Sequence, residues 1–144
     1  MSDCVFCQII AGELPVTWIH QGERCVAFMD IRPLTTGHVL VVAKEHAESF
    51  PDVSSDTAAE MMRVAHELDG ALRASGLRCE GVNMLLADGV AAGQEVLHVH
   101  MHVFPAYRND GFALKFPPEF GRLPQRPELE DAANLIRSAL SDRR

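Results

Sequence analysis

Residues 98–105 read "HVHMHVFP" and set three histidines, His98, His100 and His102, at alternate positions. Side chains alternate between the two faces of a strand, so these three imidazoles share one face, successive members about 7 Å apart. Val99, Met101 and Val103 point the other way and can enter a core. Three chemistries suit such a row. Neutral imidazoles can chelate a catalytic metal. One imidazole can act as a nucleophile while the others orient it and bind the oxygens of the electrophile. The row can also be a plain solvated face.

The stretch just before it, "DGVAAGQEV", favours the nucleophile. Gly89 and Gly93 permit close backbone approach, and consecutive N–H groups there can form an anion-binding nest. A phosphate held beside a histidine row suggests attack at phosphorus rather than carbon.

Four cysteines are present: Cys4, Cys7, Cys25 and Cys79. Cys4 and Cys7 form a C-x-x-C pair, open to a metal half-site, a redox motif or two unpaired thiols on a short helix. The redox reading wants a strand before the pair, and only three residues precede it. Cys25 and Cys79 have the character of small core residues.

Several elements must position these groups. "VFCQIIAGELP" predicts a short amphipathic helix stopped by Gly12 and Pro15. "VTWIH" and "CVAFMD" flank "QGER" as a hairpin, and "HVLVVA" is a further apolar strand. Between them "DIRPLTTG", residues 30–37, is a loop. Ser54, Ser55 and Asp56 offer cap oxygens to a helix whose stripe is Met61, Val64, Ala65, Leu68 and Leu72, with Gly76 at its C-terminal cap. "VNMLLA" and "VLHVHMHVF" are strands. The proline-rich stretch "GFALKFPPEFGRLPQRP" is irregular. A last helix starts at Pro127 as its first residue, with Leu129, Ala132, Ala133, Ile136 and Leu140 on a buried side. Strands joined by short turns, with helices grouped apart, indicate an α+β fold with an antiparallel sheet of five strands, a long helix and a C-terminal helix.

The chain has 144 residues, which indicates one domain over 1–144, and no internal repeats. Its formal net charge of −7 argues against nucleic acid as a partner, which needs a basic footprint. No apolar run spans a bilayer and no secretory signal precedes the first helix, so a cytoplasmic protein is expected, with no membrane partner.

Taken together, "DCVFCQIIAGELP", "AFMDIRPLTTGHVLVVAKEH" and "DGVAAGQEVLHVHMHVFPAYRNDGF" resemble the histidine triad family, whose signature is His-x-His-x-His followed by apolar residues. The resemblance implies a homodimer with sheets joined across the interface. It also implies hydrolysis or transfer at the α-phosphate of nucleotides, through a nucleotidyl-histidine intermediate. His100 matches the nucleophile, His102 a residue on the phosphate or leaving group, and His38 a fourth active-site histidine. Asp30 matches the acid that binds both ribose hydroxyls. Val5, Phe6, Ile9, Phe28, Ile31 and Leu40 match an apolar slot for the base. Gly93 matches a phosphate-loop position, and Gln94 and Glu95 beside it are further candidates for nucleotide binding. In a bacterial branch of the family, the cysteine pair and two histidines hold a structural zinc. Here they are Cys4, Cys7, His46 and His98. Two thiolates and two imidazoles suit tetrahedral zinc with no open position. The implied substrate is a purine nucleoside 5′-phosphoramidate or a dinucleoside polyphosphate.

The chain departs from the family at Glu95, where many members carry Ser or Thr. It departs again at Ala87, in place of Asn or Gln, and at Ala106, in place of an arginine. Two other readings stand beside this one. The triad can serve a metal-dependent hydrolase as catalytic ligands, or the fold can be a non-enzymatic nucleotide-binding module.

Overall fold

In "CVAFM", "VLVVA" and "HMHVF" nearly every position is apolar or histidine, so each of these strands needs cover on both faces. The computed structural model describes residues 3–143 and supplies that cover with two helices. The described chain divides into two compact units, one ending at Phe112 and the other beginning at Ala113.

The first unit runs α1 (Val5–Ile10), β1 (Trp18–Gln21), β2 (Cys25–Met29), β3 (Val39–Ala43), α2 (Ser55–Ala74), β4 (Gly81–Leu85) and β5 (His100–Ala106). The strands form one sheet in the order β1-β2-β3-β5-β4, with every pair antiparallel. The fold is thus α+β with a five-stranded antiparallel sheet, as the sequence pattern indicates. No described helix is long and apolar enough to cross a membrane.

The period of two then sorts side chains into layers. Cys25, Ala27, Val39, Val41, Met101 and Val103 pack with the α2 stripe of Met61, Val64, Ala65, Leu68 and Leu72. Val26, Phe28, Leu40 and Val42 face the other way and pack with Phe6 of α1. Register completes the arrangement. Leu40 lies opposite both Phe28 and His102, and Val42 lies opposite His100. The histidines therefore continue the α1-facing layer across the sheet.

The start of β5 differs from expectation. The apolar run suggests a strand from Val96, but it begins at His100. The His98 N–H turns back onto the Val96 carbonyl at 2.8 Å, and the Val99 N–H reaches Ala47 O at 2.8 Å. His98 thus sits in a bend just before the strand.

α2 forms as its caps require. Ser54 Oγ accepts the Thr57 N–H at 3.0 Å, and Gly76, just past the C-terminal cap residue Ser75, takes φ +86°.

The second unit contains α3 (Arg126–Asp142). Glu128 accepts the Gln125 N–H at 2.7 Å, so Gln125 is the cap and Pro127 stands second in the helix rather than first. The expected buried side is not formed. Leu129, Ile136 and Leu140 are about half exposed, at 46%, 61% and 54%, and Ala132 is exposed with Ala133 half-buried. An apolar stripe marks a face able to be covered, but nothing in the remainder of this unit is a helix or strand that could cover it.

Gly37 lies where the 30–37 loop enters β3. Its φ is +103°, and a Cβ there would meet Leu77 Cδ1 at 2.9 Å and Pro105 Cγ at 3.1 Å. Gly37→Ala should therefore cost about 2–3 kcal/mol in denaturant unfolding. It should also lower activity by displacing His38, whereas a loop tolerant of the methyl would leave the unfolding midpoint in place.

Candidate active site

Two loops and one strand converge over the α1-facing layer. Asp30 follows β2 directly, His38 directly precedes β3, and His100 and His102 lie on β5. The loop from Asp30 to His38 is tied at its base by Asp30 N–H to His38 O at 3.0 Å, and inside by His38 N–H to Thr35 O at 3.1 Å. The Thr35 hydroxyl donates to Pro105 O at 2.6 Å, which pins the loop to β5.

Hydrogen-bond partners assign the imidazole protons. The Leu34 N–H donates to His38 Nδ1 at 3.0 Å, so His38 carries its proton on Nε2. That Nε2–H lies 2.9 Å from His102 Nδ1, which must accept it. His102 then holds its own proton on Nε2. His100 Nδ1 lies 2.7 Å from the His98 carbonyl, to which it can only donate, leaving a bare lone pair on His100 Nε2.

Electrostatics preserve these neutral forms. Burial lowers the pKa of His38, against the opposing charge of Asp30. Burial likewise lowers that of His100, against the His98 carbonyl, Asp30 and Glu95. For His102, burial and then the neighbouring His100 and His38 push it down to about 4. All three rings are neutral at pH 7.

Beside them opens a cavity of about 720 Å³. Val5, Phe6, Ile9, Phe28, Ile31 and Leu40 line it, as do Asp30, His38, His100, His102, Gly93 and Glu95. The sequence did not mark Leu14, Pro15, Val16, Met29, Arg32, Leu34, Leu85 and Val96 as site residues, yet they share the lining. Their apolar members resemble ordinary loop and strand residues, and only Arg32, a cation two residues after Asp30, carries a chemical signal.

The loop before β5 works differently from the expected nest. The N–H groups of Ala92, Gly93 and Gln94 close onto the loop's own carbonyls, at 3.0, 3.0 and 3.2 Å. Gln94 is buried and does not line the cavity. Its Oε1 accepts the Gly89 N–H at 2.7 Å, and its Nε2 donates to Glu48 O and Val96 O at 2.9 and 3.1 Å. Gln94 therefore holds the loop in shape. Among the described residues, no protein acceptor takes the backbone N–H of Glu95 or Val96, the next two along the chain. Ala87 is not in the cavity lining, and Ala106 ends β5 opposite Gly81.

A second cluster adjoins His100. Cys4, Cys7, His46 and His98 bring one ligand atom each within 4.8 Å of one another. Cys4 Sγ and Cys7 Sγ lie 3.3 and 3.6 Å from His98 Nδ1, Cys7 Sγ lies 3.3 Å from His46 Nδ1, and the two Nδ1 atoms are 3.2 Å apart. Ideal tetrahedral zinc geometry gives edges of about 3.3 Å between nitrogens and about 3.6 Å between nitrogen and sulfur. His98 Nε2 donates to Ala43 O at 2.6 Å, which bares Nδ1 as a ligand lone pair. The four residues fit a closed tetrahedral metal.

The family model for the HIT domain matches residues 11–109. An uncharacterised HIT-like protein of Borreliella burgdorferi is 42% identical over 116 residues, 80% of this chain and 84% of its own length. The adenylylsulfatase HINT3 of Arabidopsis thaliana is 33% identical over 110 residues, 76% of this chain and 55% of its own. The crystal structure of a Zn-bound histidine triad family protein from Mycobacterium smegmatis superposes with a TM-score of 0.73 at 38% identity, covering 97% of this chain and 94% of that one. A match over this much of the sheet and its loops, at these identities, shows that the chain belongs to the HIT family.

Proposed function

We propose that the protein hydrolyses nucleoside 5′-phosphoryl compounds at the α-phosphorus, with His100 as nucleophile. The observation that carries this reading is the lone pair on His100 Nε2, set by the 2.7 Å bond from Nδ1–H to the His98 carbonyl. The site around it supplies the rest. The cavity volume suits a mononucleotide. Phe6, Phe28, Leu40, Val5, Ile9 and Ile31 offer faces to a base, purines having the larger ring to bury. The two oxygens of Asp30 suit the cis-diol of a ribose.

The chemistry proceeds in two displacements. His100 Nε2 attacks the α-phosphorus; a P–N bond forms and the bond to the leaving group breaks, its electron pair departing with that group. The imidazole ring becomes cationic, and the Nδ1–H bond to the His98 carbonyl stabilises that charge. The His102 Nε2–H and the N–H groups of Glu95 and Val96 are donors for the phosphoryl oxygens. Water then attacks phosphorus and loses a proton to solvent, the P–N pair returns to Nε2, and the nucleoside monophosphate leaves. The adenylylsulfatase among the relatives supports chemistry at an adenylyl phosphorus.

The metal-dependent alternative has a candidate in Asp30, His38 and His102, whose ligand atoms also lie within 4.8 Å. A metal on His38 Nε2 would force the proton onto Nδ1, against the Leu34 N–H. That conflict favours the nucleophile. Zinc belongs instead at Cys4, Cys7, His46 and His98, where it would brace the segment ahead of His100.

His100→Ala should lower kcat by roughly 10⁴-fold or more while the affinity for a mononucleotide stays within about threefold. Intact mass of the wild type, acid-sparing and quenched during turnover, should show a nucleotidyl adduct that the variant lacks. A variant that retains substantial turnover would remove His100 from this role.

Metal analysis of the purified protein should find one zinc per chain. Cys7→Ser should lose it and cost about 4 kcal/mol or more of stability, with a smaller effect on the chemical step. Wild type purified without chelator and free of zinc would overturn the assignment.

A further inference from the structure

Resting on that reading, we infer that the leaving group is an anion received by Arg32, and that Glu95 occupies this receptor when no substrate is bound. Arg32 belongs to the loop after β2 and Glu95 to the loop before β5, and both line the same cavity as His100 and His102. Arg32 Nη2 reaches Glu95 Oε2 at 3.2 Å, so the pair links the two loops beside the reacting histidines.

Both ends of this link are firmly based and loosely finished. The Arg32 N–H donates to Asp30 Oδ1 at 2.8 Å, and Glu95 follows the buried Gln94. The two side chains themselves are 82% and 78% exposed. An ion pair so exposed contributes about 0–1 kcal/mol, so an incoming oxyanion can displace it at small cost. The pair is also made through a single guanidinium nitrogen, which leaves the other donors of the fork free. A tetrahedral oxyanion can take two of them at once, which a monodentate carboxylate does not.

On the proposed reading the Glu95 N–H donates to the phosphoryl group, and Glu95 lines the cavity with His100 and His102, so its side chain departs from a point next to the α-phosphate. A substituent on that phosphorus would emerge beside the pair. A neutral amine gains little from either partner. A sulfate or phosphate gains Arg32, once Glu95 has swung away. The pair therefore selects substrates whose outer group is an oxyanion, and the carboxylate keeps Arg32 aimed at the cavity until one arrives.

The test compares two substrates with a common adenosine 5′-phosphoryl half: adenosine 5′-phosphosulfate, and an adenosine 5′-phosphoramidate of a neutral amine. Arg32→Gln should lower the ratio of their kcat/KM values, sulfate over amine, by about tenfold or more. Glu95→Gln, which frees Arg32, should raise that ratio by roughly threefold or more. In the double variant the gain from Glu95→Gln should vanish. A ratio unmoved by Arg32→Gln, or a loss confined to the amine substrate in Glu95→Gln, would overturn the proposal.

A binding readout separates this inference from the catalytic one. In a His100→Ala background, Arg32→Gln should weaken adenosine 5′-phosphosulfate against AMP by about tenfold. That result, in a protein whose wild type cleaves neither substrate, would sink the hydrolase reading and leave Arg32 as an oxyanion receptor. Equal weakening of both nucleotides would sink the receptor itself.

Discussion

One backbone hydrogen bond orders the histidine side of the site: the Leu34 N–H onto His38 Nδ1. A neutral imidazole has one proton, and this bond excludes it from Nδ1. The order then passes on without further choice, from His38 Nε2 to His102 Nδ1 and so to a proton on His102 Nε2. The bond exists because the loop from Asp30 to His38 is folded back on itself, closed at its base by Asp30 and His38 and pinned to β5 through Thr35. The conformation of Gly37 makes the final turn into β3 possible. A loop of nine residues thus fixes which nitrogens on the neighbouring strand can donate.

A second, independent tie sets His100. The His98 carbonyl orients His100, while the His98 ring faces the thiols of Cys4 and Cys7 and the ring of His46. Its other nitrogen is anchored on Ala43 of β3. Every polar group of His98 therefore has one task, and the residue joins the metal-fitting cluster to the His100 ring through its own backbone. Burial adds the electrostatic part: rings kept from water stay neutral, and a neutral ring retains the lone pair.

Much of this was legible in the chain. Period-two alternation placed the strands and their faces, and the row of histidines followed from it. The helix α2 was marked by its stripe and its serine cap. Less was legible where a side chain acts on backbone groups distant in sequence. Gln94 looked like a ligand residue from its place in the glycine loop, yet its partners are Gly89, Glu48 and Val96, and only folding brings Glu48 to it. The N–H groups at Glu95 and Val96, which no acceptor takes among the described residues, have no sequence signature, since every residue but proline has one. His98 looked like a strand residue because local pattern cannot show that its N–H turns back on Val96. The stripe on α3 was real as a pattern, but a pattern names no partner.

The apolar slot shows how a core becomes a binding site. Phe28 and Leu40 are buried members of the α1-facing layer, in contact with Phe6 and its neighbours. At the other end of the same slot Ile31 is 93% exposed, and Val5 is partly so. Along this gradient the protein changes from fully packed to unfinished. Phe6 and Phe28 meet edge to face at 5.7 Å, a rigid wall that keeps the slot open instead of collapsing into it. A flat apolar ligand entering there would complete the packing that the chain leaves open. If it covers about 100 Å² of this apolar surface, the gain is about 2.5 kcal/mol, too little to hold a ligand tightly without the polar end of the cavity. Further affinity and selectivity must therefore come from the polar end of the cavity, which Asp30, Arg32, Glu95 and the histidines line.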